Sequence, residues 1–166
     1  PKKNRSIIRS GLAKSQMFSD VIYNARLRTR PYEINKGETD RVIDGIHKEL
    51  IDVIERGSNF KEMVRLMEKA AGEVKKIPVI DDRFPKVGMF GEIYVRSHTG
   101  SNEESIRKLE EQKLEVAPRL IADMMEYNNK MQCAAFWKEK RYSNWFVSKI
   151  KGLYMHVVET KFLKPF

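Results

Sequence analysis

The chain has 166 residues, 41% of them apolar and 33% charged, with a formal net charge of +9; that length suits one ordinary domain and can bury a core without disulfides. A single cysteine, Cys133, excludes an internal disulfide, argues against a cysteine-rich zinc or iron–sulfur site held by this chain alone, and fits a reducing compartment. With no twenty-residue apolar run and no signal-peptide pattern, the sequence reads as a soluble, cytoplasmic protein without a membrane partner, and its start at Pro1 without methionine reads as a fragment or a processed start.

The ends are basic. Residues 1 to 30 hold eight Lys or Arg against one acid, and residues 131 to 166 hold seven against two. Such ends suggest contacts with a neighbouring acidic domain, phosphates or a nucleic acid, set against the plainer reading of a solvated basic surface. After the basic lead-in, Phe18, Val21, Ile22 and Ala25 recur at helical spacing over residues 16 to 29, and that helix should stop before Pro31. Asn35 followed by Glu38 has the form of a capping box. Val42, Ile43, Ile46, Leu50, Val53 and Ile54 then make one apolar face, ended by Gly57. A third helix follows Ser58, with Phe60, Val64, Met67, Ala71 and Val74 on its inner side.

The pattern changes after IPVIDDRFP. Residues 86 to 95 are short and rich in Val, Ile, Phe and Tyr, which predicts a buried strand. Ser101 with Glu104 forms a second capping box opening a helix to about Lys113, and Leu114 to Val116 reads as another short strand. Beyond Pro118 the chain returns to helix, with Phe146, Ile150, Leu153, Tyr154, Val157 and Val158 spaced as a buried face. The expected fold is therefore a helix-rich α/β domain with a small parallel sheet built on a β-α-β unit. Residues 1–84 form a helical segment, and residues 85–166 hold the β-α-β unit and the C-terminal helices. Two strands make a poor sheet, so either further strands hide in VIDD or near the end, or another segment of a larger multidomain protein completes it.

Strand alternation puts Phe90, Glu92, Tyr94 and Arg96 on one face. A carboxylate among buried strand residues needs a partner. Arg96 lies roughly 13 Å along a straight strand from Glu92, so Arg119 or a basic residue of the first helices is expected to meet it. Open α/β sheets bind ligands at the carboxyl ends of their strands. There Gly91, Glu92, Tyr94, Arg96, Ser97 and Ser101 are candidate ligand-binding residues, with Ser101 more readily read as a plain helix cap. The loop is neither a Walker P-loop nor GxGxxG. His47, His98 and His156 lack metal-ligand spacing, so no metal site is expected, and no catalytic triad or nucleophile elbow is visible. In FWKEKRYSNWFVSKIK, basic and aromatic residues interleave in a way that could hold single-stranded nucleic acid, although core aromatics with a solvated basic face explain it better.

Two stretches, RTRPYEINKGETDRV (residues 28 to 42) and PKVGMFGEIYVR (residues 85 to 96), resemble the 2-hydroxyacyl-CoA dehydratase-like region of the acyl-CoA dehydratase activase-related family. The similarity spans roughly residues 15 to 130 and rests on the words RPYE, GETD and GEIYVR. Where relatives carry a loop like Asn-Pro-Phe-Ala-Asn, this chain reads SHTGSN. The resemblance implies a fragment of a protein of anaerobic metabolism, in which an ATP-using activator and an iron–sulfur cluster belong to other parts of the parent. This chain itself would hold no cofactor and would not be catalytic alone. It would complete a cleft in which Glu92, Tyr94 and Arg96, with Arg30 and Tyr32, face an acyl-CoA-like ligand or the partner domain. Nucleic acid is the rival partner, through the basic ends.

Overall fold

A computed structural model describes residues 2–57, 60–92, 94–95, 98, 100–118 and 121–166, with side chains described from residue 11 onward. Helix α1 (Lys2–Thr29) ends in a 3-10 turn at Arg30–Tyr32, where Pro31 can no longer continue an α-helical ladder. Helices α2 (Glu38–Glu55) and α3 (Phe60–Val74) follow, then strand β1 (Lys86–Met89), helix α4 (Ser105–Glu111), strand β2 (Glu115–Pro118) and the long pair α5 (Ile121–Lys138) and α6 (Tyr142–Leu163). The fold is helix-rich α/β with a two-stranded parallel sheet, registered from Lys86 opposite Glu115 to Met89 opposite Pro118.

The main core joins one face each of α1, α2, α3 and α6. Phe18, Ile22, Ile43, Ile46, Met67 and Phe162 are almost wholly removed from water. Each such side chain contributes about 1.5 to 3 kcal/mol of transfer free energy. Phe18 meets Phe162 edge to face at 5.6 Å, which ties the first helix to the last. A second cluster of Leu27, Ile106 and Val116 seats the β-α-β unit on the end of α1. The periodicities of α1, α2 and α3 thus bury the faces the sequence predicts, except that Ile54 is exposed and Val42, Phe60 and Val64 are only half-buried. Gly57 takes φ +68 just past α2, the left-handed conformation of a helix stop, while Ser58 lies outside the described residues.

Both expected capping boxes fail. At α2 the carboxylate of Glu33, itself buried, accepts from the backbone N–H groups of Gly37 and Thr39, each at 2.8 Å. It satisfies helix-start donors and complements the positive end of the helix dipole. Asn35 serves differently: its carbonyl accepts from the Glu38 N–H, and its side-chain amide donates to the Glu38 carboxylate at 3.0 Å. At α4 the residue before the helix is Glu104, with φ +58 and no side-chain cap. Ser101 sits in the preceding turn instead, so it does not cap α4.

The first strand is shorter than predicted. It stops at Met89 because Gly91 adopts φ +138, a conformation that L side chains rarely enter, and this swings the chain out of the ladder. Phe90 folds back over Gly88, where an added Cβ would lie 2.8 Å from its ring. Residues 79–82 supply no further strand of the sheet. Val79 forms only an isolated antiparallel bridge with Glu33, which holds the turn before α2 in place.

Candidate functional site

Arg30, expected to face a ligand, is a buried tie between two parts of the fold and also lines the cleft beside them. Its guanidinium makes a two-pronged bond to Glu110 of α4, at 2.7 and 3.0 Å, and a third bond to Asp40 of α2 at 3.0 Å. Arg107 closes on the other oxygen of Asp40 at 2.8 Å. Burial alone would lower the Arg30 pKa, but the bonds and charges of Glu110 and Asp40 outweigh it and raise the value. Burial likewise pushes Asp40 up, yet Arg107 and Arg30 hold its carboxyl below the ordinary aspartate range. Tyr32 is similarly committed. Its hydroxyl donates to Glu115 at 2.9 Å and accepts from the Phe84 N–H at 3.1 Å, while its ring stacks on Phe84 at 4.6 Å.

Beside this seam lies a cleft of about 620 Å³ bordered by Ile34, Lys36, Phe84, Arg107 and Lys113. Phe84 precedes β1 and Lys113 precedes β2, so the cleft opens at the amino ends of the strands, opposite the end where ligands were expected.

At the carboxyl end of β1 the remaining predicted residues form an exposed turn. Glu92 is exposed, and its carboxylate accepts from the Val95 N–H at 3.0 Å. It is not a carboxylate among buried strand residues, so the requirement for a buried cationic partner falls away. Gly91 has nothing within 4 Å of an added Cβ, so its constraint is backbone conformation rather than close packing. Tyr94, 60% exposed, stacks on His98 at 4.9 Å, and the Ser101 hydroxyl lies 3.1 Å from His98 Nδ1. Arg96 and Ser97, like Thr99 and Arg119, lie outside the described residues. Arg30 and Tyr32 therefore sit near one end of β1 and Glu92 and Tyr94 beyond the other; the structure does not gather them into one site.

A surface the sequence reading missed lies on the α5–α6 hairpin. Of the six residues expected to form a buried face of α6, only Val158 is buried; Phe146, Ile150 and Leu153 are 59%, 53% and 66% exposed, with Tyr154 and Val157 also exposed. The buried side carries Ser148, Met155, Val158 and Phe162 instead. Helix α6 thus has apolar residues on its core side and on the opposite side, more than the single stripe a surface helix needs. That excess was the available signal.

Between the two helices runs a groove of about 620 Å³. Asn129, buried on α5, donates to the Ser148 carbonyl at 3.1 Å, and Gly152 admits the Asn129 amide where a Cβ would lie 2.9 Å away. Cys133 and Ala134 line the groove between them, while Trp137 and Trp145, 5.2 Å apart, wall its upper end. Among the described residues no group of three or more His, Cys, Asp or Glu side chains is placed to hold a metal ion, and no helix is long and apolar enough to cross a membrane.

No protein-family model, curated protein or solved structure matches the chain.

Proposed function

We propose that this chain is a non-catalytic docking unit of an acyl-CoA dehydratase activase-related protein, a 2-hydroxyacyl-CoA dehydratase-like piece whose outer α5–α6 face packs against a neighbouring domain of the parent. The observation that carries the reading is the two-sided apolar character of α6. A helix hydrophobic on both sides belongs between two packed layers, and among the described residues one layer here is open. In the family reading the covering domain holds the iron–sulfur cluster, the activator part uses ATP, and Glu92 and Tyr94 after β1 are left to face an acyl-CoA-like ligand. The RPYE and GETD words fall where this structure is tied together: Arg30, Tyr32, Glu33 and Asp40 all serve internal bonds.

The test compares the chain alone with its full-length parent. Ile150→Glu with Leu153→Glu should leave the melting temperature of the isolated chain unchanged, since both side chains face water. In the parent the same pair should loosen the domain arrangement, seen as a larger radius of gyration in X-ray scattering, and reduce its activity. A parent with unaltered scattering and activity would overturn the proposal.

A second reading, nucleic-acid binding, draws on the exposure of Trp137, Tyr142 and Phe146 among Lys138, Lys140 and Arg141. Its mark is affinity that falls steeply with salt through counterion release.

A further inference from the structure

We infer that the groove between the start of α3 and the end of α6 binds a small soluble polyphosphate, two or more linked phosphate groups, at a site that shares no residue with the α5–α6 groove. Its volume of about 570 Å³ falls within the range of small-molecule sites. The charged lining is Lys61 and Arg65 from α3 and Lys161 and Lys164 from the end of α6, set against the single carboxylate of Glu68. Glu68 follows Arg65 by one turn, yet neither joins an ion pair among the described residues, and nor do Lys161 and Lys164. Lys14 brings a further ammonium group. Its Nζ and that of Lys161 lie 5.6 and 5.5 Å from the centroid of the same Phe60 ring.

Helix electrostatics account for half of this lining. Lys161 and Lys164 meet the negative end of the α6 dipole, but Lys61, in the first turn of α3, meets a positive end, and Arg65 four residues on sets a like charge beside it. Cations gathered in this way repel one another and attract an anion. A single phosphate brings about 1.5 to 2 negative charges, which leaves part of the excess unmet. Linked phosphates supply the rest and reach from one helix to the other. The groove is already in place: Phe60 packs on Phe162 at 5.5 Å, and Lys75 donates to the Pro165 carbonyl at 2.6 Å, which holds the chain end beside α3. Larger polyanions fit less well. A nucleic-acid strand needs a row of rings for successive bases, and among the described residues the groove holds one, Phe60, already flanked by two lysines. A lipid surface calls for protruding apolar side chains, whereas Phe60, Val64 and Pro165 are half-buried.

Titration calorimetry of the chain with inorganic tripolyphosphate, at about 0.15 M salt, should show one saturable site, with orthophosphate bound about tenfold more weakly or less. Arg65→Ala with Lys164→Ala, both exposed and checked for folding by circular dichroism, should weaken tripolyphosphate binding about tenfold or more. Lys138→Ala with Lys140→Ala removes the same charge from exposed positions between α5 and α6 and should leave binding unchanged. In proton–nitrogen NMR spectra of the unaltered chain, the amides that tripolyphosphate shifts should lie at the start of α3 and the end of α6. Absence of saturable binding, equal weakening by the two pairs, or shifted amides centred elsewhere would overturn the inference. So would an oligothymidylate or phosphatidylserine vesicles that bind more tightly than tripolyphosphate and lose binding with Arg65→Ala and Lys164→Ala, since the groove would then belong to a larger polyanion surface.

Discussion

The Arg30 seam and the outer face of α6 exchange the roles that their residue types suggest. Arg30 and Tyr32 look like ligand-facing residues and are tied into the fold; Phe146, Ile150 and Leu153 look like core and stand in water. Side-chain chemistry alone thus misjudges both regions, because what decides is whether the fold supplies a partner. The Arg30 guanidinium finds two carboxylates inside the chain, those of Glu110 and Asp40. Among the described residues, Phe146, Ile150 and Leu153 of α6 stay more than half exposed, which leaves that face for another partner.

This contrast can be broken by substitution, beginning where the effect is largest. Arg30→Ala should cost about 3 to 5 kcal/mol, because it strands the buried Glu110 carboxylate; a urea midpoint close to that of the unaltered chain would show that the seam is a surface feature. The same seam sets an acid limit. Since the Asp40 pKa is lowered in the fold, its contribution is present above the unfolded aspartate value and disappears as pH falls through the folded one. Asp40→Asn should therefore flatten the acid side of a stability–pH profile relative to the unaltered chain.

Smaller effects sharpen the comparison. Tyr32→Phe keeps the stack on Phe84 but drops both the bond to Glu115 and the bond from the Phe84 N–H, for about 1 to 3 kcal/mol in thermal melts. Glu33→Ala should cost about 1 to 2 kcal/mol, the upper range for losing a helix cap, and expose the first amides of α2 to faster hydrogen exchange. At the other extreme, Glu92→Gln should fall within about 0.5 kcal/mol of the unaltered chain, as expected for an exposed side chain. A large loss there would return Glu92 to the interior.

How much of this could be read beforehand follows from the range of the interactions. The faces of α1, α2 and α3 and the parallel β-α-β unit were legible because apolar spacing and strand composition are local patterns. Glu33 was not legible as the cap of α2, because its carboxylate reaches six residues forward to Thr39 from a turn that also bridges to the distant Val79. The length of β1 was missed through one glycine: nothing in the run of apolar neighbours reveals that Gly91 turns out of the strand. The α6 face was misassigned because periodicity identifies apolar stripes but not which of two stripes the rest of the chain will cover. At the candidate site, residue type suggested function while geometry separated the members, placing Arg30 and Tyr32 away from Glu92 and Tyr94.

The separation of Arg30 from Glu110 along the chain, eighty residues, bears on the order of folding. Helices α1 and α2 can meet across a short loop, as the Arg26–Asp44 pair eighteen residues apart illustrates. The closure that brings α4 back to Arg30 must wait for a far longer loop, whose ends are costlier to join and whose reward comes only at the end. The β-α-β unit should accordingly dock late, so Arg30→Ala should quicken unfolding more than it slows folding. In the native protein the same unit should be among the first parts to open, releasing the stretch from β1 to β2 while the α1–α2–α3 core persists.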